Sequence, residues 1–237
     1  MHLPSPSQHT FASVPEAQIQ RSQFDRQSTT KTTLDAGWIV PVFVDEALPG
    51  DTFNIKMTAF GRLTTLLRPI MDNIYVESQF FAVPIRLVWD NWQKFNGEQL
   101  NPGDSTDYLI PQITPPVGGW TEQSLYDYLG VPTKVQGTLT VSTLFGRAYN
   151  LIWNEWYRDQ NLQTRAIVDK GDGPDNPANY VLRKRGKRHD YFTSALPWPQ
   201  KGPSVALPLS GNAPVRGIGT TVASATSLSN VRVTPVS

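Results

Sequence analysis

Cysteine is absent from the 237 residues, which excludes a disulfide framework, a thiolate metal site and a cysteine nucleophile. Histidine is almost absent: His2, His9 and His189 are too few and too scattered for a histidine-rich metal site. Long apolar runs are missing as well. The longest, Trp38 to Val44, contains Pro41 and falls far short of the roughly 20 residues that a membrane-spanning helix needs, so no contact with a bilayer is expected. Residues 1–10 carry His2, His9, Pro4 and Pro6 but no apolar block, so they lack the h-region of a secretory signal. Glycine-rich phosphate loops, HExxH and GxSxG are lacking too, and with them the common enzyme signatures; neither a cofactor nor a catalytic residue is assigned. Disorder throughout is excluded in turn. Glycine (17) and proline (20) make about 16% of the chain, below the roughly 25–30% of low-complexity sequences.

What is present is unevenly spread. The net charge of +1 hides 13 Lys/Arg against 19 Asp/Glu in residues 1–182, and 8 against the single Asp190 in residues 183–237. Such a split suggests that one part meets a polyanion or an acidic neighbour.

Residues 1–36 are polar, with scattered apolar side chains that fit no period, and read as an extended arm ordered by lying across a neighbouring surface. Trp38 to Val44 reads as a strand that Pro41 places at an edge or bulge, followed by a turn at Leu48-Pro49-Gly50-Asp51. Phe53, Ile55, Met57 and Ala59 then alternate with polar residues, the period of a strand with one face on a core. Ile74 to Val83 is apolar on both faces and is expected to be buried on both. After Pro84, the spacing of Ile85, Val88, Trp92 and Phe95 predicts a short amphipathic helix ending at Gly97. Another is predicted over Thr121–Leu129. The strongest helical signal is Ser142–Leu162, where Phe145, Tyr149, Ile152, Trp153 and Trp156 form the apolar stripe and Asn150, Asn154, Arg158 and Asp159 lie off it. Gly146 weakens that helix by roughly 1 kcal/mol relative to alanine. A turn-rich loop follows over 170–177, and residues 210–230 are rich in Gly, Ser, Thr and Ala. Two weak strands, near Leu139 and Val205, bring the total to five. Strands first, with helices in the connections, predict a mainly β fold, short of the seven or eight strands of a sandwich.

Few constellations carry chemistry. His189, Asp190 and Ser194 resemble a triad on paper, but neighbouring residues of an extended chain point to opposite faces. Glu155 and Asp159 stand four apart on the predicted helix, with Arg158 beside them favouring a solvated ion cluster over acid–base work. Asp45, Glu46 and Asp51 flank a turn and read as turn and capping residues, not calcium ligands. The basic run Arg183, Lys184, Arg185, Lys187 and Arg188, followed by Tyr191, Phe192 and Trp198, suits single-stranded nucleic acid, because cations hold phosphates and rings stack on unpaired bases. A solvated loop or a salt-bridged subunit contact is the competing reading. Seven tryptophans exceed what a core of this size requires, and Phe24, Trp153, Trp156, His189, Tyr191, Phe192 and Trp198 are the candidate interface residues. Two rivals use other residues: a lectin-like carbohydrate-binding β-sandwich stacking sugars on Trp120 and Tyr126, and a glycosidase using Glu155 and Asp159.

Several long phrases, in order, resemble one family. They are Arg21-Ser-Gln-Phe-Asp-Arg26, Lys31-Thr-Thr33, Val44-Asp-Glu-Ala-Leu-Pro-Gly-Asp-Thr-Phe53 and Arg68-Pro-Ile-Met-Asp-Asn73. Further on come Phe80-Phe-Ala-Val-Pro-Ile-Arg-Leu-Val-Trp-Asp-Asn-Trp92, Tyr149-Asn-Leu-Ile-Trp-Asn-Glu-Trp-Tyr-Arg-Asp-Gln-Asn161 and Arg185-Gly-Lys-Arg-His-Asp-Tyr-Phe-Thr-Ser-Ala-Leu-Pro-Trp-Pro-Gln-Lys-Gly202. The chain resembles the major capsid proteins of the Microviridae, the gokushovirus branch in particular, from about His9 to about Pro208. The resemblance implies an eight-stranded antiparallel jelly roll with long helix-containing loops, only partly covered by this chain. It implies a homo-oligomeric T=1 icosahedral shell around circular single-stranded DNA, built with other virion proteins in the host bacterial cytoplasm. It further implies a surface insertion that meets a host receptor. Residues 1–36 then correspond to the arm, 37–209 to the first part of the capsid domain, and 210–237 to a flexible approach to the insertion.

Overall fold

A computed structural model describes residues 19–135, 139–186, 188–196 and 202. The chain divides into two units, Met1–Arg188 and His189–Ser237. In the first, four short strands form two antiparallel pairs: β1 (Trp38–Ile39) with β4 (Arg183–Lys184), and β2 (Gln112–Ile113) with β3 (Val141–Ser142). Three helices accompany them: α1 (Trp92–Phe95), α2 (Leu125–Tyr128) and α3 (Leu144–Ile152). Among the described residues, no helix is long and apolar enough to cross a membrane.

Packing explains the order of these pieces. Ile113, Trp120, Leu125, Tyr126, Tyr149 and Tyr180 form the core, and Trp120 stacks on Tyr126 with ring centroids 4.2 Å apart. Gly146 sits in the first turns of α3, where a Cβ would lie 2.6 Å from the Tyr126 hydroxyl and 3.0 Å from Tyr180 Cδ1. The propensity cost of glycine is therefore offset by a close helix–aromatic approach. Ser124 caps α2 by accepting from the Asp127 N–H at 3.4 Å, and Asp127 reaches back to the Gln123 N–H at 2.8 Å, a reciprocal arrangement close to a capping box.

The helix predicted over Ser142–Leu162 is shorter, and it buries a wider face than the apolar stripe, of which Tyr149 and Trp153 do turn inward. It continues from α3 into one π turn, Trp153–Tyr157, and ends where Arg158 becomes extended. Its innermost stripe is polar. Thr143, Arg147, Asn150 and Asn154 are all buried, whereas Trp156 is 71% exposed. The sequence reading, which put Asn150 and Asn154 outside, is corrected here. The reason is hydrogen bonding: the segments packed on α3 are irregular, and their carbonyls have no ladder to join. Asn150 Nδ2 donates to Ile167 O (2.9 Å) and Asn179 O (3.1 Å). Asn154 donates to Ala166 O and accepts from Ala166 N, at 2.9 and 2.8 Å. Arg147 Nη1 donates to Val88 O and Gly171 O, at 2.9 and 2.8 Å, while Nε bonds Asp175 at 2.8 Å. The Arg147–Asp175 pair is fully enclosed, at 2.5 Å, and the Tyr180 hydroxyl donates to the same carboxylate. Burial by itself raises the Asp175 pKa, yet the hydrogen bonds and charge of Arg147 and the Tyr180 bond hold it below its ordinary value.

The helix predicted after Pro84 splits into a 3₁₀ turn, Ile85–Leu87, and α1. Tertiary bonds interrupt it. Arg147 takes the Val88 carbonyl, and the Asp90 N–H goes to Lys170 O at 3.0 Å.

Two predicted strands are also corrected. Residues 53–59 carry no regular secondary structure and pair with no strand among the described residues, and Phe53, Ile55 and Met57 are exposed. Residues 74–83 are likewise unpaired and are not buried on both faces, since Ile74, Val76 and Phe80 face solvent. Glu77, Gln79 and Phe81 do meet the domain. Glu77 bonds Arg185, Gln79 accepts from the Tyr157 hydroxyl at 2.5 Å, and the Phe81 ring packs 5.7 Å from Trp156 and 6.1 Å from Tyr157. A strand requires a partner, and apolar content cannot supply one.

Candidate nucleic-acid and subunit-contact surface

The basic run begins inside the β1–β4 pair, in register Trp38 to Lys184 and Ile39 to Arg183, extended by Arg185 N donating to Gly37 O at 2.8 Å. Tyr149 secures the pair by donating from its hydroxyl to Ile39 O and accepting from Arg183 N, both at 2.9 Å. Burial pushes that hydroxyl's pKa up to about 12. Trp153 Nε1 adds a bond to Lys184 O at 3.1 Å.

Alternation along β4 sends successive cations to opposite faces. Arg183 turns inward, its guanidinium 4.7 Å from the Trp153 ring and its Nε 3.3 Å from Asn150 Oδ1. Desolvation lowers its pKa. Lys184 turns outward, with Nζ 4.8 Å from the Trp38 ring centroid. Arg185 and Arg188 both pair with the carboxylate of Glu77. The run is therefore not a row of free charges: Arg183 is engaged within the domain, and two further cations share one acid. Lys187 lies outside the described residues. Glu77 escaped the sequence reading; its only signal was a lone acid on the odd face of an apolar segment.

The candidate interface residues separate in the same way. Trp153 is buried in its own domain, whereas Phe24, Trp156, Tyr191 and Phe192 present large apolar surface. In the second unit, Tyr191 packs edge-on to Phe192 at 5.5 Å. His189 Nδ1 lies 3.0 Å from Thr193 O, and Asp190 Oδ1 accepts from the N–H groups of Phe192 and Thr193 at 3.0 and 2.9 Å. This is a local turn. Trp198 lies outside the described residues.

The residues assigned to the rival functions are occupied elsewhere. Trp120 and Tyr126 stack on each other in the core and offer no face to a sugar. The π turn ends before Asp159, so Glu155 and Asp159 do not share a helix face, and Glu155 instead lies 4.0 Å from Arg165. Asp45 pairs with Arg26 at 2.5 Å, and Asp51 closes its turn by accepting from Leu48 N at 3.0 Å. Among the described residues, no cluster of three acids or histidines could hold a metal.

Beside Lys184, the chain forms a small recess of about 130 Å³ lined by Asp35, Trp38, Gln123, Tyr128 and Leu182. Tyr128 is fixed there by its hydroxyl bond to Thr33 O at 2.9 Å.

Residues 12–236 match the family model described as capsid protein (F protein). The chain belongs to the capsid protein (F protein) family. Among the relatives of this capsid family, "Capsid protein VP1" of Bdellovibrio phage phiMH2K is 54% identical over 209 residues, covering 88% of this chain and 39% of the relative. The protein of the same name from Chlamydia phage 1 is 48% identical over 241 residues, covering 91% and 40%. That of Spiroplasma virus 4 is 35% identical over 219 residues, covering 87% and 39%. The resemblance to the Microviridae capsid proteins of the gokushovirus branch is thus upheld, and the chain spans about two fifths of the length of the curated relatives it matches.

Proposed function

We propose that the whole protein is the structural capsid protein of a bacteriophage, assembling copies of itself into a small T=1 icosahedral shell around circular single-stranded DNA. The observation that carries this is the family match over residues 12–236, with relatives named capsid protein VP1. The exposed apolar rows support it, because Phe53, Ile55, Met57 and Phe80 need a covering surface, as the strands of an incomplete jelly roll would. In this reading Phe24, Trp156, Tyr191 and Phe192 lie at contacts between subunits or other virion proteins. Of the basic run, Lys184 faces the packaged DNA, with Arg183, Arg185 and Arg188 engaged by the domain's own side chains. Its place is the virion, assembled in the bacterial cytoplasm, with a host receptor met through a surface insertion. Electron microscopy of the full-length protein expressed alone or with its virion partners tests the proposal. Closed shells of one diameter are expected; a monodisperse monomer under all assembly conditions overturns it.

A further inference from the structure

We infer that the recess beside β4 holds one unpaired nucleobase and prefers bases that carry an exocyclic amino group. This inference rests on the reading of the protein as a DNA container, and it names the chemistry by which one segment of that DNA is recognised.

Size limits the occupant first. A recess of about 130 Å³ is far below the roughly 300–1,000 Å³ of drug-sized pockets. It admits one heterocycle, not a nucleotide or a sugar chain.

The lining decides the rest. Trp38 and Tyr128 supply aromatic surface and Leu182 an apolar one, as base stacking requires. The Asp35 carboxylate can only accept hydrogen bonds, so it suits the amino groups of adenine, cytosine or guanine, whereas thymine offers only its N3–H and sets a carbonyl on either side of it against the acceptor. Gln123 adds an amide that either donates or accepts. Its backbone is held in the left-handed region (φ 60°) while its N–H is tied to Asp127, which fixes the rim.

Charge orients the ligand. Asp35 repels a phosphate, whereas Lys184, with Nζ 4.8 Å from the Trp38 ring centroid, attracts one at the rim. The same ammonium already occupies the cation position over Trp38 and disfavours a second cation. A neutral base inside with its phosphate outside satisfies both groups.

The test uses full-length subunits released from shells and fluorescein-labelled oligomers of deoxycytidine, deoxyadenosine or thymidine, about ten nucleotides long, titrated over a range of salt. The expected result is that the cytosine and adenine oligomers bind on the order of tenfold more tightly than the thymine oligomer, the scale of one hydrogen bond to a charged group. Asp35→Asn should move the preference toward thymine, because an amide can donate to its carbonyls, while leaving the salt slope unchanged. Asp35 is exposed, so this variant is expected to fold. Gln123→Ala, at an equally exposed position, should weaken the amino-base preference in the same assay. Equal, salt-dependent binding of all three oligomers, unaltered in Asp35→Asn, overturns the base recess and leaves the DNA-container reading standing. Absence of binding to any oligomer at low salt overturns both.

Discussion

Residues 84–183 are less apolar in sequence than residues 52–83, with 38 hydrophobic residues of 100 against 17 of 32, yet it is the less apolar region that solves the backbone hydrogen-bonding problem within itself. The first region is largely irregular, yet Arg147 and Asn150 of α3 and Asn154 of the π turn that follows it bond the carbonyls of Val88, Ile167, Ala166, Gly171 and Asn179. Side chains there do what a sheet ladder does elsewhere. The second region has neither ladder nor side-chain substitutes along most of its length, and its apolar rows stay in water. A loop-rich region can thus close upon itself if one helix carries enough long polar side chains, whereas an unpaired apolar segment is completed only by another surface.

The largest effect that would break this contrast is at Arg147. Arg147→Met leaves Asp175 enclosed without its partner, and a loss of about 3–5 kcal/mol is expected in urea denaturation of full-length subunits. A loss under ~1 kcal/mol would mean that the polar stripe does not hold the region. Next comes Asn154→Ala, which orphans the Ala166 N–H and carbonyl and should cost about 1–3 kcal/mol by the same measurement.

The acid limb sharpens the same point. The Asp175 pKa is depressed in the folded state, so its stabilisation is complete above the unfolded carboxyl value of about 3.9 and is lost as pH falls through the lower folded value. Tyr180→Phe removes one of the bonds holding that carboxylate, so the fall in unfolding free energy below about pH 4 should become smaller; circular dichroism across an acid titration checks this.

For the unpaired region, Ile55→Asp should change subunit stability by under ~0.5 kcal/mol, because the side chain is already exposed, yet abolish shells in electron micrographs. Normal shells from this variant would show that the row is never covered. Smallest of all, Arg26→Ala at the exposed Asp45 pair should leave the urea midpoint unmoved.

Family membership and the turns were legible in the sequence, because they rest on local phrases. The turn at Leu48 closes as its residues require, with Asp51 N donating to Leu48 O at 3.1 Å. The core tyrosine of α3, Tyr149, was placed correctly on the inward stripe, and the start of that helix fell within two residues of its predicted position. The inward role of Asn150 and Asn154 was not legible. A polarity pattern ranks residues by affinity for water and is silent about which carbonyls lack a partner. Nor could the fate of the cations be read, since Glu77 stands 108 residues before Arg185. Charge balance counts such groups without knowing which are already matched. In the candidate site, the β1–β4 pair that sets Lys184 beside Trp38 likewise joins residues far apart in sequence.

The arm offers one more consequence. Arg21 donates to Gly50 O at 2.8 Å, Arg26 pairs with Asp45, and Thr30 donates to Val42 O at 3.1 Å, so residues descend along 42–50 in a steady antiparallel register. No backbone ladder joins the two segments. Each rung is an independent, water-accessible side-chain clasp, so the arm can be unfastened one clasp at a time instead of melting as a sheet edge. A rise in ionic strength weakens the charged clasp at Arg26 first.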